Sequence, residues 1–261
     1  MGIKSNRVLA SYFTRFGASG TLDPGHYVGD IAVAHYTSPY ISVYPFTSGT
    51  GFGTKYSDPA TLPTSNGFDV AFSPDGADLA VAHDGSPRIS VYPWSSGFGT
   101  KYADPSTLPT NTAYGVAFSP DGALLAVAHY GSPYISVYPW SSGFGTKYAD
   151  PSTLPPDKVR WVAFSPDSAD IAVAHDTSPY ISVYPWSSGF GTKYSDPSTL
   201  PTGDGQCVAF SPDGADIAVG HMGSPYLNVY PWTSGTGFGT KYSDPSTLPT
   251  GNGRSVAFSP A

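Results

Sequence analysis

The pentapeptide Val-Ala-Phe-Ser-Pro begins at Val70, Val116, Val162, Val208 and Val256, at intervals of 46, 46, 46 and 48 residues. A two-residue insertion, Thr236-Gly237, accounts for the longer interval. A fixed period in this range marks stacked units, either propeller blades or helical pairs. Each unit reads VAFSPDG, then ADIAVAH, then YISVYPW, then FGTKYSDP, with small variations. These are short β-branched and aromatic runs punctuated by Ser-Pro-Asp-Gly and Ser-Gly turns, and no helical period interrupts them. Four strands per unit, here called a to d, exclude the helical alternative.

Complete b–c–d sets begin at Ile31, Leu79, Leu125, Ile171 and Ile217. The first set has no VAFSP before it, and the last VAFSP has no b–c–d after it. The expected fold is therefore all-β, a five-bladed β-propeller over residues 29–261 with four antiparallel strands per blade. The strand Val256 to Pro260 is expected to close the ring beside Ile31 to His35, which leaves no open sheet edge. Residues 1–28 fit no repeat and read as an N-terminal extension or cap. Glycine (30) and proline (27) are abundant, but a 39% hydrophobic and 15% aromatic composition supplies a core and argues against disorder.

VAFSPDG followed by LAVAH and ISVYPW resembles the WD-repeat pattern over residues 29–261. The resemblance implies a propeller with an FSPDG turn between strands a and b. Tyr-Pro-Trp stands where that family has Trp-Asp, and the Gly-His before strand a is absent, so the family's hydrogen-bonded tetrad does not carry over. Near-identical tandem copies also resemble repeats of phage and marine viral proteins. Five blades of this length are similar in architecture to the tachylectin family of sugar-binding propellers.

Composition narrows the function. A net charge of −7 with 12 Lys plus Arg argues against a phosphate backbone as partner. No signal-peptide core or membrane-spanning run is visible, so a soluble chain without membrane insertion is expected, in a compartment the sequence leaves open. The single cysteine, Cys207, makes no internal disulfide. His35, His83, His129, His175 and His221 end the b strands. They lie too far from the axis to share a metal, and read as core histidines bonded to a nearby Ser or Tyr. Asp75, Asp121, Asp167 and Asp213 serve turn geometry. No nucleophile–base pair, phosphate loop or metal-ligand spacing appears. No enzyme, metal or cofactor is expected.

The copies differ in two columns. Residues 70–115 and 116–161 differ at nine of 46 positions, six of them the last six. The first column, just before VAFSP, holds Phe68, Asp69, Tyr114, Arg160, Trp161, Gln206 and Arg254. The second follows each histidine: Tyr36, Asp84, Tyr130, Asp176 and Met222. Alternating strand directions put both columns at one end of the blades, where aromatic and arginine side chains suit recognition. The expectation is a non-catalytic module that binds a macromolecular ligand, a protein or glycan, on this varied face. A multivalent lectin with equivalent sites between blades is the first alternative, and a structural spacer the second.

Overall fold

A computed structural model describes residues 28–259. Among the described residues there is no helix, and the strands form five antiparallel sheets of three or four strands, an arrangement consistent with a propeller. Sheet 1 is β1 (Val28–Ala34), β2 (Ile41–Thr47) and β3 (Gly51–Phe52). Sheets 2, 3 and 4 each carry strands a, b and c. They are β4 (Gly67–Phe72), β5 (Asp78–His83) and β6 (Ile89–Pro93); then β7 (Ala113–Phe118), β8 (Leu124–His129) and β9 (Ile135–Pro139); then β10 (Val159–Phe164), β11 (Asp170–His175) and β12 (Ile181–Pro185). Sheet 5 has β13 (Gly205–Phe210), β14 (Asp216–His221), β15 (Leu227–Thr233) and β16 (Gly237–Phe238).

The a–b turn shows why Ser-Pro-Asp-Gly recurs. The Asp75 carboxylate accepts the Ser73 hydroxyl at 2.6 Å and the Ala77 amide at 3.0 Å, while Ser73 Oγ accepts the Asp78 amide at 2.9 Å. Gly76 sits at φ 69°, which costs a glycine little. Strand d is weaker than its sequence suggests. In sheets 2 to 4 it shrinks to a bridge such as Trp94 with Phe98, and beyond it the chain returns to strand c only at points such as Tyr102 N–Val91 O, 2.9 Å. The proline within strand c, Pro93 in sheet 2, has no amide to offer a ladder.

The core lies between sheets. Ala32, Ala34, Ile41 and Val43 of sheet 1 pack against Val70, Phe72, Leu79, Val81, Tyr92 and Trp94 of sheet 2, and three similar layers follow. Because sheets stack face to face, b strands such as β5 are buried at every residue. The Trp94 indole donates to Asp30 at 2.8 Å, Trp140 to Asp78 at 2.8 Å and Trp232 to Asp170 at 3.1 Å, tying sheets 2, 3 and 5 to the sheet before each.

One expectation changes, and another lies almost wholly outside the described residues. The closing strand is not formed: residues 254–259 belong to no strand, lie half or fully exposed, and do not pair with β1. Gly253 instead donates to His221 O at 3.0 Å, as Gly67 does to His35 O, so this segment follows sheet 5 in the way that β4 follows sheet 1. The expected extension over residues 1–28 lies outside the described residues except for Val28, which opens β1, and Pro260 also lies outside them. No helix of the described residues is long and apolar enough to cross a membrane.

Candidate functional site

The first strand of sheets 2 to 5 begins inside the varied segment, three residues before VAFSP. Each carries a β-bulge there. Gly67 pairs with His83 and Asp69 with Ala82, which leaves Phe68 as the extra residue. The same shift sets Tyr114, Arg160 and Gln206 out of register. A bulge re-aims the unpaired side chain, and here it delivers a residue that differs in each of the four sheets.

The bulged side chains meet the residues that follow the histidines. Tyr36 and Phe68 pack edge to face at 5.4 Å between centroids, Phe68 and Tyr114 at 5.2 Å, and Tyr114 and Tyr130 at 6.4 Å. The Arg160 guanidinium carbon lies 5.9 Å from the Tyr114 ring centre, and Lys158 Nζ lies 5.3 Å from that of Tyr130. Both cations converge on one carboxylate. Arg160 Nη2 donates to Asp176 Oδ2 at 2.6 Å and Nε to Oδ1, and Lys158 Nζ reaches Oδ2 at 2.8 Å. Asp157 and Asp204 also act on these cations, so the cluster carries acidic as well as basic groups. Asp84, half-buried, accepts the Thr112 hydroxyl beside this row.

Burial opposes the Arg160 charge, but the hydrogen bonds and attraction of Asp176 outweigh it and raise its pKa. The Asp176 hydrogen bond likewise raises that of Lys158. Burial raises the pKa of the Tyr114 phenol, against the pull of Arg160 and Lys158, so it remains a donor at neutral pH.

Not every varied residue joins this row. Asp69 is buried, with its carboxylate accepting the Val70 amide at 2.9 Å and the Val116 amide of the next sheet at 3.0 Å, which bonds two sheets together. Gln206 and Cys207 are buried, and Gln206 Nε2 donates to Asp204 O at 3.4 Å. Trp161 is half-buried against the core between sheets 4 and 5. Met222 is half-buried and Arg254 exposed. Lys158 escaped the sequence reading, although it lies inside the varied PDKVRW segment. The signal was a third residue in the column that already held Arg160 and Trp161.

The histidines are framework. His83, His129 and His175 are fully buried, each Nε2 3.0 Å from the hydroxyl of Ser90, Ser136 or Ser182. Near Gly131 O at 2.8 Å, His129 Nδ1 must carry the proton, so Nε2 accepts from Ser136. Burial lowers the pKa of all three to about 4. No three His, Cys, Asp or Glu side chains among the described residues are grouped to hold a metal.

No known protein family matches the sequence, and no curated protein matches it. Solved structures do match the fold. A Bacteroides uniformis protein described as a 6-phosphogluconolactonase aligns at TM-score 0.61 and 18% identity, over 81% of this chain and 67% of its own. A periplasmic gluconolactonase from Pseudomonas aeruginosa aligns at 0.62 and 20%, over 84% and 69%. Sqt1 from Chaetomium thermophilum, bound to the N-terminus of ribosomal protein L10, aligns at 0.59 and 20%, over 82% and 58%. At such identities the likeness shows the fold, and it carries the WD-repeat resemblance no further than that.

These neighbours correct the functional expectation. The sequence reading of a recognition module rested on the varied columns, its lectin alternative on the repeated residues, and the exclusion of an enzyme from all of these on the lack of a recognisable catalytic motif. Two structures of this fold are named as lactonases. A missing motif is therefore no ground for excluding catalysis on it.

Proposed function

We propose that the five sheets are five propeller blades of WD-like turn chemistry, and that the bulged rim binds and hydrolyses a sugar lactone. The carrying observation is the row itself: aromatic faces from Tyr36 to Tyr130 that end on Lys158 and Arg160, gathered on the single carboxylate of Asp176. Aromatic faces suit the C–H face of a sugar ring, and the N–H donors of Arg160 and Lys158 suit a phosphate or a developing oxyanion. The lactonase names among the fold neighbours support the choice of substrate class.

Each residue then has a role. Asp84 takes a proton from water as its oxygen adds to the lactone carbonyl. Arg160 and Lys158 face the tetrahedral oxyanion, with Asp176 as the residue that positions them. When the ring C–O bond breaks, the departing oxygen takes the proton back from Asp84, giving the open hydroxy acid. Alkali titration of gluconolactone and 6-phosphogluconolactone hydrolysis at constant pH tests the reading. Enzyme-dependent hydrolysis should fall about 10²-fold or more in Asp84→Asn and Arg160→Ala. A wild-type rate no faster than spontaneous hydrolysis would reject it.

A further inference from the structure

Asn228 breaks a column that is otherwise serine. Ser42, Ser90, Ser136 and Ser182 hold the position in sheets 1 to 4, and each hydroxyl meets Nε2 of the histidine of its own sheet. A hydroxyl can donate or accept, whereas an amide has a donor on one side and an acceptor on the other. In sheet 5 the hydrogen bonds fix which side faces which. Tyr230 Oη uses its only proton on Thr199 O at 2.7 Å, so it accepts from Asn228 Nδ2 at 2.8 Å. That turns the Asn228 carbonyl towards His221, 3.3 Å from Nε2, and a carbonyl only accepts. His221 Nε2 therefore carries the proton.

This reverses the tautomer of His129, where Nδ1 donates to Gly131 O at 2.8 Å, and of His175, where Nδ1 meets Thr177 O at 2.7 Å. His221 Nδ1 is left as a bare lone pair on a fully buried ring. Among the described residues it is the one buried side-chain N or O atom without a hydrogen-bond partner. The Gly223 carbonyl, counterpart of the Gly131 carbonyl, cannot donate to it. The loop is also closely packed. A Cβ on Gly203 would come within 2.6 Å of Gly223 N, and one on Gly223 within 2.5 Å of Thr202 O. A proton needs no such room. Bound at Nδ1, it would turn a repulsion between lone pair and carbonyl into a hydrogen bond, while Nε2 keeps Asn228. Gly223 O already accepts the Tyr226 amide at 2.6 Å, as Gly131 O accepts that of Tyr134 at 2.8 Å, and has its second lone pair for the ring.

We infer that His221 is a proton-operated latch on the rim: it takes up a proton while the chain is folded, and the new Nδ1–H bond to Gly223 O fastens the loop that carries Met222. His129 and His175 gain no bond from a proton, since both of their ring nitrogens are already bonded. Burial works against the charged ring of His221, while the Asn228 and Gly223 carbonyls favour it. From the segment after β16, Lys241 opposes the charge and Asp244 favours it. Tyr230 on β15 is pushed up to about 12 by burial and stays neutral. Cys207 on β13 packs against Gly220, Asp204 O accepts the Met222 amide at 3.0 Å, and Arg254 follows Gly253, whose amide donates to His221 O.

Long-range proton–nitrogen correlation NMR on the labelled full chain tests this. At about pH 7.5, above the ordinary histidine range, His221 should show a protonated Nε2 and a bare Nδ1, and His129 the reverse. As pH falls, the folded-state signals of His221 should reach the imidazolium pattern at a higher pH than those of His129. The carbonyl carbon shift of Gly223 should follow the same curve. Asn228→Ser installs the residue of the other four sheets, so it should restore their tautomer and abolish both changes. A wild-type His221 with its proton on Nδ1 overturns the inference without any variant. So does a His221 that titrates no sooner than His129, or an Asn228→Ser protein whose His221 titrates as before.

Discussion

His129 and Tyr130 are neighbours in the chain with opposite surroundings. The histidine is fully buried and bonded at both ring nitrogens, while the tyrosine is 46% exposed. The same divide separates His83 from Asp84. The histidine is the last residue of strand b, inside the sheet stack, and the next residue has just left it. Identity between copies follows the packed side of that boundary, and variation follows the open side. A single residue step thus separates framework from site, and shifting pH acts on the framework first.

The largest expected effect is acid unfolding. His83, His129 and His175 have folded pKa values lowered from 6.5 to about 4 by burial. The unfolded chain therefore takes up protons that the folded one refuses, and the stability these residues contribute is present above pH 6.5 and lost as pH falls towards 4. At about 1.4 kcal/mol per pH unit, each loses about 3 kcal/mol and the three together about 10 kcal/mol. Domains of this kind have about 5–15 kcal/mol to lose. Circular dichroism should show cooperative unfolding between about pH 6 and 4. A melting temperature unchanged over that interval would break the contrast.

Removing one histidine isolates the effect. His129→Ala leaves the Ser136 hydroxyl and Gly131 carbonyl without their partner, at a cost of about 1–3 kcal/mol in urea unfolding at neutral pH. The variant should also be less sensitive to acid than wild type, since one refused proton is gone. Equal acid sensitivity would mean that the carboxylates, not the histidines, set the pH response.

The tryptophans offer an internal control. Trp140→Phe removes an indole donor from Asp78, whereas Trp186 faces Leu124 at the corresponding position. Urea unfolding should therefore find Trp140→Phe about 1 kcal/mol more costly than Trp186→Phe. Equal costs would show that shape alone sets the junction.

The repeat made much of this legible. Strand order, the a–b turn and the histidine–serine bond all follow from residues that recur, because each copy meets the same neighbours. The difference in burial between sheets did not, since Tyr44, half-buried, and Tyr92, buried, read alike in sequence. Nor did the bulge: no residue type marks Phe68, Tyr114 or Arg160 as the extra residue, and only the register against His83, His129 and His175 reveals it. Asp69 looked like a rim residue for the same reason. One position past the bulge, strand alternation turns it inward to bond two sheets.

The smallest effect belongs to the open side of the boundary. Tyr130 meets Tyr114 at a tilted 6.4 Å and takes Lys158 at 5.3 Å, but nearly half its surface is already in water. Its neighbour Lys158 is held by Asp176 and would keep its place without the ring. Tyr130→Ala should therefore move the urea midpoint by about 0.5 kcal/mol or less, against about 1–3 for His129→Ala one residue earlier. If the rim is the lactone site, the same change should weaken KM for gluconolactone, through the lost ring face, more than it lowers kcat. A loss of stability as large as that of His129→Ala would put Tyr130 in the framework and erase the boundary on which the site assignment rests.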